Sequence, residues 1–158
     1  MIKVLFICLG NICRSPLAEA IFKHKAKEAN LLHLFEVDSC GTGDYHIGSQ
    51  PDPRTIKVAH KNGVEIFHAC RQLIPDDLAY FDYLLAMDSS NYRNIMRMAE
   101  QGTVENKVKL MRDFDPGHQG TEVPDPYHGG DRDFQEVFDI LNRSLDGFIK
   151  HLKEQHSL

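Results

Sequence analysis

The thiol of Cys8 and the guanidinium of Arg14 stand at the two ends of a short segment, with five residues between them. A thiolate is a strong nucleophile, and a planar guanidinium grips two oxygens of a tetrahedral anion at once. The residues around this pair build a place for such an anion. Gly10 and Asn11 accept left-handed backbone angles, so the segment can curl with its N–H groups turned inward. Ser15 suits a helix N-cap, and Pro16 suits the first helical position, where its missing N–H costs nothing. The amides of Leu9, Gly10, Asn11, Ile12, Cys13, Arg14 and Ser15 would then gather at the positive end of a helix, an arrangement that binds anions. The same helix end and the neighbouring cation favour the thiolate form of Cys8.

This equipment matches what a phosphate monoester requires. Charge must be stabilised on three non-bridging oxygens, a nucleophile must stand in line, and the leaving oxygen must receive a proton. Attack by Cys8 would form a phosphocysteine. The proton donor must come from an acid on a different loop, facing the leaving group.

The string Cys8-Leu9-Gly10-Asn11-Ile12-Cys13-Arg14-Ser15-Pro16 resembles the Cys-x5-Arg phosphate loop of protein tyrosine phosphatases, and in its detail that of the low-molecular-weight family. A bare Cys-x5-Arg occurs by chance in many chains. Here the apolar run before it, the Ser-Pro helix start after it, and the interior Gly-Asn and second cysteine all agree. The resemblance covers nearly the whole chain. It implies a four-stranded parallel sheet with helices on both faces, and a phosphatase of phosphotyrosine on proteins. Pro124-Asp125-Pro126-Tyr127 resembles the family's Asp-Pro-Tyr motif, which makes Asp125 the general acid and later the base that activates water. On its own, Asp125 reads as a turn aspartate between two prolines; Cys8 and Arg14 are what turn it toward catalysis.

The resemblance also implies supporting roles. Ser15 donates to the Cys8 thiolate, Asn11, Ser39 and His68 shape the phosphate loop, and Asp88 orients Arg14. Each has a plainer reading: Asn11 as a turn residue, Ser39 as a strand-end cap, His68 as a satisfied loop histidine, Asp88 as the N-cap of the helix after it. Leu9, Ile12, Tyr45 and Tyr127 would wall the substrate slot, although an exposed tyrosine is also ordinary surface. His128 departs from the family, many of whose members carry a second tyrosine there, and so bears on the outer wall and on substrate preference. Cys13 shares the curled segment with Cys8 and is placed to capture it as a disulfide after oxidation.

These groups need a scaffold, and the hydrophobic pattern provides one. Val4 to Ile7 is an unbroken apolar run, the mark of a strand covered on both faces. Further strands are expected over Phe35–Cys40, Tyr83–Met87 and Val108–Met111. Helices are expected after Pro16, from Pro53 to about Asn62-Gly63, briefly from Pro75, from the Asp88 cap to about Glu100, and along Phe134, Val137, Phe138, Leu141, Leu145, Phe148 and Leu152, which repeat at three and four. Alternation of strands and helices predicts an α/β fold with three layers and right-handed crossovers, in which ligands sit beyond the carboxyl ends of the strands. Two irregular stretches rich in Gly, Asp and Pro, 41–53 and 113–130, are long enough to be functional or mobile.

Composition fits a single domain. The chain has 158 residues, 42% of them hydrophobic and 26% charged, with a net charge of −5. No basic run interleaved with aromatics appears, which argues against nucleic acid as a partner. The run from Val4 to Leu9 is too short for a secretory signal and lacks a small-residue cleavage site, and nothing approaches a membrane span. Four cysteines in a chain of this length do not make a secreted disulfide framework, so a cytoplasmic setting is expected. Nine histidines are scattered without a metal-ligand spacing, and neither metal nor cofactor is expected. The expected partners are a phosphotyrosine-bearing protein as substrate and inorganic phosphate as product, with the enzyme a monomer or weak dimer.

Four rival readings use parts of the same equipment. Protein-arginine phosphatases resemble this loop but carry threonine where this chain has Ile12. A thioredoxin-coupled arsenate reductase passes a disulfide along two further late cysteines, yet no cysteine follows Cys70. A sugar-phosphotransfer component carrying phosphate on cysteine has no need of Arg14 together with Asp125. A non-catalytic phosphopeptide-binding module is expected to lack Cys8 or Asp125.

Overall fold

Residues 4–7 are completely withdrawn from solvent because they form the middle of the sheet's inner strand. In a computed structural model describing residues 1–158, β1 (Ile2–Cys8) lies between β2 (Phe35–Gly41) and β3 (Tyr83–Ala86), and β4 (Val108–Leu110) closes the far edge. All three pairings are parallel, in the order β2-β1-β3-β4. Side chains on a strand alternate between faces, and β1 feeds two cores accordingly. Val4, Phe6 and Cys8 join a large core with α1 (Arg14–Glu28), α2 (Pro53–Lys61) and α5 (Asp131–His156). Leu5 and Ile7 join a smaller one with α3 (Pro75–Tyr80) and α4 (Ser89–Met98). The expected three layers are therefore present.

The larger core is aromatic. Phe6, Phe22 and Phe148 meet with ring centroids 5.9 to 6.4 Å apart, and Phe35 stands edge-on to Phe22 at 5.1 Å. Each such ring, fully buried, contributes about 1.5–3 kcal/mol. The apolar repeat of α5 is buried along its length, from Phe134 to Leu152, which fastens the helix across β1 and β3.

Several boundaries differ from the sequence expectation, for local reasons. Helix α1 begins at Arg14, with Cys13 at the cap position and no side-chain cap. The Ser15 hydroxyl is engaged elsewhere, by Cys8 Sγ and the Cys40 carbonyl, and Pro16 sits at the third helical position, where an N–H would still lack an intrahelical partner. Of Gly10 and Asn11, only Asn11 takes a left-handed angle (φ 58°). Gly10 serves space instead, since a β-carbon there would lie 3.1 Å from the His46 ring, which would have to shift by a few tenths of an ångström. Strand β3 stops at Ala86 and β4 at Leu110, after which Met111–Phe114 coils into a 3-10 turn with Asp113 accepting from the Leu110 amide. A second 3-10 turn, Leu32–Leu34, leads into β2.

The two irregular stretches lie at the carboxyl ends of the strands. Residues 41–53 are stitched to the loop that follows β1: Thr42 N donates to Cys8 O, Gly43 N to Leu9 O, and Asp52 N to Ile12 O, at 2.8 to 2.9 Å. Residues 113–130 are tied in at Val123, whose amide donates to Met87 O at 2.8 Å.

Candidate active site

Strand β1 ends at Cys8 and α1 begins at Arg14, so the five residues between them must reverse the backbone within a few ångströms. Asn11 makes that turn possible and is itself completely buried. Its amide nitrogen donates to Ser15 Oγ at 2.8 Å and to Ser39 Oγ at 3.0 Å. Its amide oxygen accepts from the Arg71 backbone N–H at 3.0 Å and lies 2.6 Å from His68 Nε2. Cys70 Sγ donates to the Asn11 carbonyl at 2.8 Å. A strained left-handed residue thus has its side-chain amide and its carbonyl satisfied, a condition under which strain at a site persists, while its backbone N–H is left for a ligand. Gly41, paired with Cys8 in the sheet, allows the close approach, because a β-carbon there would meet Leu9 O at 2.6 Å.

Cys8 Sγ lies 3.0 Å from Ser15 Oγ. The serine has one proton to give, it already accepts from Asn11, and the only other acceptor in reach is the Cys40 carbonyl at 3.2 Å. With a thiolate at position 8, that proton points at sulfur.

Arg14 is buried and held from three sides. Its Nη1 donates to Asp88 Oδ2 at 2.7 Å and to Val123 O at 3.0 Å, while Nη2 stands 3.6 Å from Asp125 Oδ2. Burial works against its charge, but Cys8 and the hydrogen bond and charge of Asp88 outweigh it, so its pKa rises above the ordinary arginine value. Asp88 fulfils both of its expected readings at once. One carboxylate oxygen orients Arg14, and the other caps α4 by accepting from Asn91 N at 2.7 Å.

Behind the loop lies a buried polar cluster whose carboxylate, Glu19, escaped the sequence reading. Glu19 is 4% exposed, accepts from Ser39 Oγ at 2.8 Å and from Lys23 Nζ at 2.6 Å, and lies 3.2 Å from His68 Nδ1. Burial alone would raise its pKa, but the hydrogen bonds from His68 and Lys23 overcome that and hold it below the usual glutamate value. The Glu19–Lys23 spacing looks like an exposed helical ion pair, which hid it. Glu19, Asp38 and His68 bring ligand-type atoms within 4.8 Å of one another. Their carboxylate oxygens already accept from Lys23, Ser39 and Arg71, so the cluster is a hydrogen-bonded brace for the loop.

Above the loop opens a cavity of about 410 Å³, lined by Cys8, Leu9, Ile12, Cys13 and Arg14 below and by Tyr45, His46, Asp125, Tyr127 and His128 at the rim. Its size suits one aromatic ring carrying an anion. All five expected wall residues are present, and His46 is an addition. Nothing in the sequence marked His46, whose ring reaches the cavity across Gly10. Asp125, 45% exposed, faces Arg14 across the opening. Cys13 also borders the cavity, and burial, with Asp52 and Cys8 nearby, pushes its thiol up to about 12. Of the two loop cysteines, Cys13 is therefore a neutral thiol at rest.

A description of known proteins under the heading low molecular weight phosphotyrosine protein phosphatase matches residues 3–158. A protein of that name from Schizosaccharomyces pombe is 45% identical over 96% of this chain and 97% of its own length. A crystal structure of a protein tyrosine phosphatase from Entamoeba histolytica, with Hepes in its active site, superposes with a TM-score of 0.94 at 39% identity, covering 99% of each chain. A Drosophila arginine phosphatase superposes with a TM-score of 0.89 at 32% identity over 96% of this chain and 98% of its own. The scaffold is thus similar to enzymes named for two different phosphate esters or amides, and the pocket wall must distinguish them.

Proposed function

The chain belongs to the low molecular weight phosphotyrosine protein phosphatase family, and from that premise we propose that it hydrolyses phosphotyrosine on proteins with Cys8 as nucleophile, Arg14 as phosphate-binding group and Asp125 as general acid, then base. The observation that carries this reading is the convergence of the three groups on one cavity, with Ser15 Oγ 3.0 Å from the sulfur and Asp125 3.6 Å from Arg14. Phosphate oxygens would take up the loop amides and the face of Arg14 not used by Asp88. Cys8 attacks phosphorus as Asp125 protonates the leaving phenolic oxygen, leaving phosphocysteine. Asp125, now a carboxylate, removes a proton from water, which releases inorganic phosphate and restores the thiolate. A monomer or weak dimer acting in the cytoplasm is part of the proposal. No helix is long and apolar enough to cross a membrane.

Substrate choice follows from depth and polarity. Phosphorus must reach the Cys8 loop, and an aromatic ring carries it deeper than a serine side chain does. Leu9, Ile12, Tyr45 and Tyr127 present apolar surface to that ring. Ile12 offers a guanidinium no acceptor, and each buried N–H left unpaired costs about 1–3 kcal/mol. With three matched phosphopeptides, kcat/KM should rank phosphotyrosine above phosphoarginine and phosphoserine, and Ile12→Thr should narrow the gap to phosphoarginine. If phosphoarginine ranks first with the unaltered enzyme, the substrate assignment is wrong.

Cys13, which borders the same cavity as Cys8, gives a second expectation. Peroxide converts the Cys8 thiol to a sulfenic acid with release of water, and the Cys13 thiol then displaces a second water to form the Cys8–Cys13 disulfide. Cys13→Ser should retain most activity but fail to regain it when peroxide treatment is followed by a reducing thiol. Complete recovery in that variant rules the protective disulfide out.

A further inference from the structure

We propose that Arg54 is a positioning residue for the general acid: its guanidinium ties the segment that carries Asp125 to the loop that carries Cys8. The proposal rests on the reading of Asp125 as proton donor and concerns how that carboxyl is kept in place.

The acid segment is fastened at two ends. Upstream, buried Val123 donates its amide to Met87 O at 2.8 Å and accepts from Arg14 at 3.0 Å. Between the ends, Asp125 Oδ2 stands 3.6 Å from Arg14 Nη2, and the hydrogen bonds are local: Asp125 Oδ1 accepts from Tyr127 N at 3.1 Å, and Gly129 N donates to Pro126 O at 2.8 Å. Downstream, the segment runs into α5, where Gly130 N donates to Asp133 Oδ2 at 2.8 Å and Lys57 Nζ to Asp131 Oδ2 at 2.9 Å, and Arg54 ties it to α2 ahead of that helix. Arg54 Nη1 donates to Gly129 O at 3.1 Å, and its guanidinium carbon lies 5.6 Å from the Tyr127 ring centre and 4.5 Å from that of Phe134 in the first turn of α5.

The guanidinium is itself immobilised. Nε and Nη2 donate to the two carboxylate oxygens of Asp52 at 3.0 and 2.9 Å, a two-pronged pair that fixes the plane as well as the position. Asp52 caps α2 through the Arg54 amide at 2.8 Å, and its own amide donates to Ile12 O at 2.8 Å. A continuous path of contacts therefore runs from the phosphate loop through Asp52 and Arg54 to Gly129, four residues beyond Asp125. The Arg54 hydrogen bonds hold the Asp52 carboxyl below the usual aspartate value, so the pair stays intact on the acid side of neutrality. Lysine cannot replace this arrangement, because a single ammonium does not grip both Asp52 oxygens while reaching Gly129.

A general acid works only within hydrogen-bonding reach of the leaving oxygen, and small misplacements are costly. The test compares kcat/KM for phenyl phosphate, whose leaving group needs a proton, with p-nitrophenyl phosphate, whose leaving group needs it less. Both esters put an aryl ring of the same size against the inner walls and differ only in the para nitro group, so most of any wall effect drops out of the ratio. Arg54→Ala should lose about tenfold on phenyl phosphate and at most about twofold on the nitrophenyl ester. Arg54→Lys should fall between it and the unaltered enzyme, and inhibition by inorganic phosphate should stay unchanged in both. Asp125→Asn, run alongside, should show the same direction with a larger ratio. Equal losses on both esters in the Arg54 variants, no loss at all, or weakened phosphate inhibition overturns the proposal while the ester-dependent loss in Asp125→Asn preserves the acid. An ester-independent loss in Asp125→Asn removes the acid reading and the proposal together.

Discussion

Cys8→Ser should reduce turnover of p-nitrophenyl phosphate by about 10⁴-fold or more, with inorganic phosphate still binding. The hydroxyl is almost the size of the thiol and fits the buried place at the end of β1, so the phosphate loop keeps its shape. What disappears is the nucleophile, because an alcohol is far harder to ionise than a thiol and the loop offers it no adjacent base. Arg14, the amides and the brace of Asn11, Ser39, His68 and Glu19 remain, and they are what hold a tetrahedral anion. Turnover and phosphate inhibition, measured on the same preparation, separate the two contributions. A variant that still turns over at a tenth of the original rate would move the nucleophile elsewhere. An unaltered protein with no turnover would favour the binding-module reading.

Asp125→Asn should lower kcat/KM for phenyl phosphate by roughly 10²–10⁴-fold, the span of a general acid. The amide keeps the shape and the contact with Tyr127 N, but it cannot deliver a proton to the leaving oxygen. The loss should therefore shrink as the leaving group becomes a better one. A series of substituted aryl phosphates gives this as the slope of log kcat/KM against leaving-group acidity, which should steepen in the variant. A parallel shift of the whole series would mean that position 125 only supports the fold.

Much of this arrangement was legible in the sequence because its parts depend on local chemistry. The apolar run at Val4–Ile7, the repeat along α5 and the prolines at the starts of α2 and α3 each dictate their element with little help from elsewhere. Cys8, Arg14 and the walls Leu9 and Ile12 share one loop, so their proximity needed no knowledge of the fold. The less legible parts come from contacts across the chain. Glu19 has the spacing of a surface ion pair, and only packing against Ser39 and His68 reveals it as buried. Arg54 is linked to Gly129 across 75 positions, and its local partner Asp52 looks like an ordinary helix cap. Ser15 has the residue type of a cap and also of a donor to Cys8, and only the structure, with the Cys40 carbonyl of β2 beside the loop, shows that the hydroxyl does not cap α1.

Arg14 is oriented by groups of the protein itself, Asp88 and Val123, whereas Tyr45 and Tyr127 at the rim are 69% and 42% exposed and carry little of the core. The buried floor answers to one shape, a tetrahedral dianion, whatever is attached to it. Apart from buried Ile12, contact with the attached group falls to side chains whose replacement costs little stability, because surface substitutions usually change it by no more than about 0.5 kcal/mol. Such a division lets a lineage exchange customers without rebuilding its machinery. Under the proposed reaction, free phosphate shares the shape of the substrate's head and competes for the same floor, which would tie the rate of the enzyme to how quickly its surroundings clear that ion.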